Sequence, residues 1–398
     1  MNLFKENKIL VSWGVIAIVL TLYSFNQSKP AGKYLLHKQE ESKSQLTFNQ
    51  NQKDGLEKFF NNLHLNHGFN GVVLIGQKDS VFYSGAFGWS DYEKKEPNML
   101  ESSFQLASVS KQFTAVAILQ LYEKGLLSLT DTIEKFFPDF PHHGITIHHL
   151  LIHRSGLPNY HYFLQNLSLE SDTSITCQNV VNEITKKGIP LYASVNRRFQ
   201  YSNTGYAILA AIVEKVSGIP FDQYLEKNIF IPLQMNNSFV YSGKGDPKKT
   251  NTTTGYLYRW REAHDNILDK VLGDKGIYCS AVDLFKWDQG LYKNQVINFD
   301  TLQKAFQPMG KPIKSKSNYG YGWRMMEWTT DSTKILYHAG WWHGYRSLLV
   351  RVQKDSTTIV VLKNRSQGAR ITAQQILNIL YPVTIQPSDT LSLALDED

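Results

Sequence analysis

Ser108 and Lys111 stand three residues apart at the head of an apolar-periodic run, a spacing at which a nucleophile could meet its activator. Val109, Phe113, Val116, Ala117 and Leu119 carry helical periodicity, and Gly125 stands where a glycine ends a helix. Residues i and i+3 share a helix face, so the amine would reach the hydroxyl one turn up. Amides without intrahelical partners would lie beside the serine, where they suit an oxyanion. A partly desolvated amine has a lowered pKa and can accept a proton. Alone, the pair equally fits a helix-capping serine and a solvated lysine.

Two later stretches add weight to the chemical reading. Tyr201-Ser202-Asn203 precedes a helical segment that begins near Thr204. A phenol beside an ammonium can serve as general base, and the Asn203 amide can meet both a substrate carbonyl and the lysine. His338-Ala339-Gly340 closes a β-branched run and leads into Trp341. A glycine there lets the strand edge approach a ligand and offer an N–H to an oxyanion.

The elements that must position these residues follow from periodicity. Residues 71–76 and 81–85 read as a hairpin, and strands return at 321–328, 334–338, 346–352 and 357–363. Helical segments are expected at 178–187, 204–217, 221–229, 281–292 and 371–380. The fold class is therefore α+β in three layers: an antiparallel sheet flanked by helices, with a mostly helical inserted lobe at about 126–278. The domain is expected over 55–385, after a polar linker at 28–54 and before a tail at 386–398.

Residues 9–25 form an apolar run preceded by Lys5 and Lys8, near the lower length that spans a bilayer. Residues 1–27 are read as a single N-terminal anchor or signal segment. That places the catalytic domain outside the cytoplasm, at the membrane or periplasmic, and secreted if the segment is cleaved. The chain has 398 residues, 42% of them hydrophobic, and a formal charge of +7 with scattered basic residues. This supports a globular enzyme and excludes a nucleic-acid-binding signature. Two cysteines, Cys177 and Cys279, make no disulfide framework, and whether they pair is left open. The histidines at 142, 143, 148, 149, 153 and 161 match no closed metal site, so neither metal nor cofactor is expected.

The S-x-x-K, Y-x-N and H-x-G elements in this order resemble the serine penicillin-recognising family, in its class C β-lactamase, DD-peptidase and esterase branch. The resemblance runs from about residue 55 to 381 and takes in Gly276-Ile277-Tyr278 and Tyr319-Gly320-Tyr321-Gly322-Trp323. It implies that Ser108 is acylated, that Lys111 and Tyr201 share the proton transfers, and that Asn203, His338 and Gly340 bind substrate. The Ser108 and Trp341 backbone amides would form the oxyanion hole. The implied substrate is a D-amino-acid-containing peptide such as a cell-wall peptide, another small peptide, or an ester. Where β-lactamases usually carry lysine the third motif has His338, and Ala339 lacks a hydroxyl; both weaken the alternative of a β-lactamase. A non-catalytic penicillin-binding or sensing module is the remaining alternative.

Overall fold

The computed structural model describes residues 47–164, 175–241, 251–308, 318–328, 330–369 and 371–382. Helix α1 (Gln50–His67) starts at a reciprocal cap: Asn49 accepts from the Asn51 and Gln52 amides, and Gln52 returns a bond to the Asn49 N–H. Such a box satisfies amides that the first turn leaves open. The expected linker boundary at residue 54 thus falls inside a helix. Gly68 closes α1 at φ 67°, a left-handed geometry that only glycine adopts without strain.

Strands β1 (Gly71–Gln77) and β2 (Ser80–Phe87) form the expected hairpin. They join β3 (Asn318–Tyr319), β4 (Arg324–Glu327), β5 (Lys334–Trp342), β6 (Tyr345–Val352) and β7 (Thr357–Lys363) in one antiparallel sheet. Its order is β2-β1-β7-β6-β5-β4-β3. The early and late parts of the chain meet where Gly71 pairs with Lys363.

Successive strand residues face opposite sides. Val73 and Ile75 of β1 pack with Leu56 and Phe60 of α1 and with Ile376 and Leu377 of the last helix, Ala373–Leu380. Val72 and Leu74 join the other core, built on helix α2 (Ser110–Glu123), α3 (Cys177–Lys187), α4 (Asn203–Ser217) and α5 (Ala281–Tyr292). Both faces are covered, which is why every residue of β1 is buried. The α+β three-layer arrangement is the one the sequence indicates.

Local departures have local causes. The segment 221–229 is helical only over Phe221–Leu225 and then widens into a π-helical turn, Glu226–Phe230. A small sheet of Phe104–Gln105, Ile277–Cys279 and Phe239–Val240 escapes sequence reading because strands of two or three residues show no alternation. The strand expected over 321–328 contracts to β4, because Gly322 turns at φ 84° against α2. A Cβ at that position would lie 2.8 Å from the Lys111 carbonyl oxygen. Cys177 and Cys279 are each buried and free. The apolar run 9–25 and the tail 386–398 lie outside the described residues, among which no helix is long and apolar enough to cross a membrane.

Phe60 is fully buried against Phe59, Phe69 and Tyr83, with ring centroids 5.1 to 5.9 Å away. Phe60→Ala is expected to cost about 3–5 kcal/mol in guanidinium unfolding. A loss below about 1 kcal/mol would mean that this layer refills the cavity.

Candidate active site

Helix α2 is buried from Ser110 through Leu121, so it runs through the core and has no solvent face to drift toward. A 3₁₀ turn, Ala107–Val109, leads into it, placing Ser108 just ahead of the α-helix proper. Ala107 has φ 47°, a left-handed conformation that costs an alanine about 1–3 kcal/mol. That bend sets the Ser108 side chain against the first helical turn.

There Lys111 Nζ donates to Ser108 Oγ at 2.9 Å and to the Asp274 carbonyl at 3.1 Å. The Lys111 side chain has no exposed surface, and its nitrogen lies 4.9 Å from the Tyr201 ring centre. Tyr201 Oη donates to the same Ser108 oxygen at 3.0 Å. Three groups distant in sequence therefore meet on one hydroxyl.

Tyr201 is held by its neighbours. The Ser202 amide donates to His153 Nδ1 at 3.1 Å, the Asn203 amide to Asn159 Oδ1 at 2.6 Å, and Thr204 Oγ1 to the Pro158 carbonyl at 2.6 Å. Asn203 Oδ1 is buried without a hydrogen-bond partner, so the bond to Lys111 expected of this side chain is not made. A buried acceptor left open is costly unless something fills it.

Gly340 approaches the nucleophile through its backbone. A Cβ there would sit 2.3 Å from the Leu106 carbonyl oxygen and 2.8 Å from the Ser108 nitrogen, so only glycine fits. Trp341 follows, half exposed, with the Arg346 guanidinium 5.8 Å from its ring centre. His338 differs from expectation. It is fully buried, Nδ1 faces the Ala339 carbonyl at 2.6 Å, and Nε2 faces the Tyr319 hydroxyl at 3.0 Å. A nitrogen facing a carbonyl must carry the proton, which leaves Nε2 as the acceptor. With both nitrogens occupied, His338 supports the site wall and has no free atom for a substrate.

Spacing did not reveal three neighbours. Arg324 on β4 places its guanidinium 5.7 Å from the Tyr201 ring centre, His153 packs 4.2 Å from that ring, and Tyr319 lies across His153 at 4.7 Å. Burial, reinforced by the positive Arg324 and Lys111, holds His338 well below the ordinary imidazole pKa, and burial with Lys111 does the same for His153. Burial also lowers His161 to about 4. The site thus pairs two cations with neutral imidazoles. The histidines clustered in the sequence are dispersed in structural bonds: His142 meets the Ile189 carbonyl, His143 Glu134, and His148 the Tyr321 hydroxyl. Among the described residues no three potential metal ligands converge.

A hydroxyl bonded to a buried amine and a phenol is equipped for acyl transfer. The model of the family described as Beta-lactamase matches residues 49–381. The chain belongs to the Beta-lactamase family. Its relatives include Penicillin-binding protein 4* of Bacillus subtilis, 32% identical over 87% of this chain and 81% of that protein. The octameric penicillin-binding protein homologue of Pyrococcus abyssi superposes with a TM-score of 0.69 at 27% identity, covering 79% of this chain and 73% of its own. The D-amino acid amidase of Ochrobactrum anthropi shares the fold, with a TM-score of 0.62 at 22% identity over 79% of this chain and 90% of its own. This family of serine hydrolases makes the chain a hydrolase by class.

The buried imidazoles give this family member a testable acid limit. Their folded-state pKa values lie below the ordinary 6.5, so the unfolded chain binds protons that the folded chain does not. Stability is complete above about pH 6.5 and declines as pH falls, for His161 until about 4. His338→Gln is expected to flatten the difference in unfolding free energy between about pH 7.5 and 5. Equal slopes in parent and variant would contradict the assignment.

Proposed function

We propose that the chain is an extracytoplasmic serine hydrolase that forms an acyl-enzyme on Ser108 and cleaves a small peptide, including D-amino-acid-containing ones, or an ester. The observation that carries this reading is the single oxygen, Ser108 Oγ, shared at 2.9 Å by Lys111 Nζ and at 3.0 Å by Tyr201 Oη. The extracytoplasmic placement rests on the apolar run 9–25 behind Lys5 and Lys8.

The chemistry follows from that triangle. Once Lys111 or Tyr201 has given up its own proton, it takes the Ser108 hydroxyl proton as Oγ bonds to the substrate carbonyl carbon. The carbonyl oxygen gains charge and is met by the Ser108 and Trp341 backbone amides. As the tetrahedral centre collapses, the proton passes to the leaving amine or alkoxide, and an ester remains on Ser108. Water, deprotonated by the same pair, adds to that ester; as the bond to Ser108 Oγ breaks the proton returns to that oxygen and the acid leaves. Asn203 Oδ1, the open buried acceptor, takes an N–H of the acyl donor. His338 acts through position and Arg324 through charge. Ala339 offers no hydroxyl to a substrate carboxylate, which favours peptide or ester turnover over β-lactam turnover.

Intact-mass measurement after exposure to a fluorophosphonate or labelled penicillin is expected to show one adduct on the parent and none on Ser108→Ala. Lys111→Met and Tyr201→Phe are expected to slow acylation about 10²–10⁴-fold. D-Ala-D-Ala peptides, short-chain nitrophenyl esters and nitrocefin, tested on parent and Ser108→Ala, sort the substrate class. No adduct on the parent, under conditions that label a known family member, would defeat the reading.

A further inference from the structure

Outside the triangle lies a buried charged cluster that acyl transfer itself does not use. Lys275 is 3% exposed, and its ammonium donates to Tyr160 Oη at 2.6 Å and to the Leu268 and Val271 carbonyls at 2.8 Å each. Tyr160, fully buried, donates in turn to Asp274 Oδ2 at 3.0 Å. The other Asp274 carboxylate oxygen has no hydrogen-bond partner and sits 3.8 Å from the Lys275 nitrogen. Burying such a set is costly, and removing one member strands the others, so its placement calls for a reason.

The reason is visible in what its two ends hold. On one side, the backbone of residues 273–277 runs along the head of α2. Thr114 Oγ1 donates to the Gly273 carbonyl at 2.7 Å, Lys111 to the Asp274 carbonyl, and the Ile277 amide to Ser110 Oγ at 3.3 Å. On the other side, residues 158–160 carry the entry to α4, since Pro158 and Asn159 accept from Thr204 and from the Asn203 amide. Tyr160 and Lys275 join these two supports. Lys111 hangs from one and Tyr201 from the other.

We infer that Tyr160 and Lys275 are positioning residues that couple the two proton-handling groups on Ser108. Their bridge fixes the Asp274 carbonyl on Lys111 while holding the turn that aims Tyr201. The inference rests on the acyl-enzyme reading for its kinetic consequence but not for its electrostatic one. Around Lys111 stand Ser108 on its own turn, Tyr201 and Tyr206 at α4, the Asp274 carbonyl with Lys275 following it, His338 on β5, and His153 and His161 from the helical lobe, with Arg324 of β4 against the Tyr201 ring. Removing Lys275 deletes the buried cation that follows the carbonyl held by Lys111. Removing the Tyr160 hydroxyl leaves the Asp274 carboxylate without its donor. Both changes favour the protonated form of Lys111 and raise its pKa.

The test is the titration midpoint of Lys111, followed by its side-chain carbon resonance in parent, Tyr160→Phe and Lys275→Met proteins, with folding checked by thermal melts. The midpoint is expected to rise by about one pH unit in each variant. The acid limb of Ser108 acylation should move up with it, and the rate on its plateau should fall about tenfold. Because the two side chains share one hydrogen bond, the double variant should lose less than the sum of the single losses. Tyr160→Phe keeps the ring and its packing, so it decides the matter if Lys275→Met fails to fold. Folded variants with the parent's midpoint would overturn the inference. The titration needs no substrate, so an inert parent would defeat the proposed function while leaving this inference to its own result.

Discussion

A lysine amine sealed from water and pressed against a serine hydroxyl is the constraint on which this structure turns. Moving an ammonium out of water costs several kcal/mol even after the protein relaxes around it. Lys111 offsets that cost with the Ser108 oxygen, the Asp274 carbonyl and the faces of Tyr201 and Tyr206. Each of those partners must itself be held still, and they come from three separate segments. The buried α2, the strut at 273–277 and the entry to α4 are thus parts of one solvation shell made of protein.

The sheet contributes by approach and not by side chain. Gly340 brings β5 onto the Leu106 carbonyl and the Ser108 amide, while Gly322 does the same at the Lys111 carbonyl. Two glycines let two pieces of backbone close around the first turn of α2. The side chains on those strands then set the local field. Arg324 keeps positive charge near Tyr201, and the imidazoles of His153 and His338, already desolvated, stay neutral in that field.

Much of this was legible in the sequence, for identifiable reasons. The hairpin at β1 and β2 and the strands β6 and β7 carry β-branched runs between polar turns, and α4 and α5 carry unbroken helical periodicity. The spacing of Ser108 and Lys111 is local, so a helix alone brings them together. Arg324, His153 and Tyr319 left no such signal, because only the pairing of β4 with β5 and the turn after Leu151 carry them to Tyr201. His338 was readable as a motif position, but its burial was not: Tyr319, which occupies its second nitrogen, lies on β3. Two-residue strands and the π-helical turn are set by tertiary packing, which outweighs local preference.

The pairing of β1 with β7 has a consequence for how this chain is made. β1 and β2 leave the ribosome before the neighbour that covers the inner edge of β1, Thr357–Lys363. Until that strand arrives, the hairpin presents an open row of amides and carbonyls, the kind of edge that recruits other chains. Contacts so far apart in sequence form slowly, because most of the chain must be drawn into a loop before they yield anything. The layer formed by α1 and Ala373–Leu380 cannot assemble before residues 373–380 have left the ribosome. Until then the nascent chain carries that open edge, and separation from its own copies guards against mispairing.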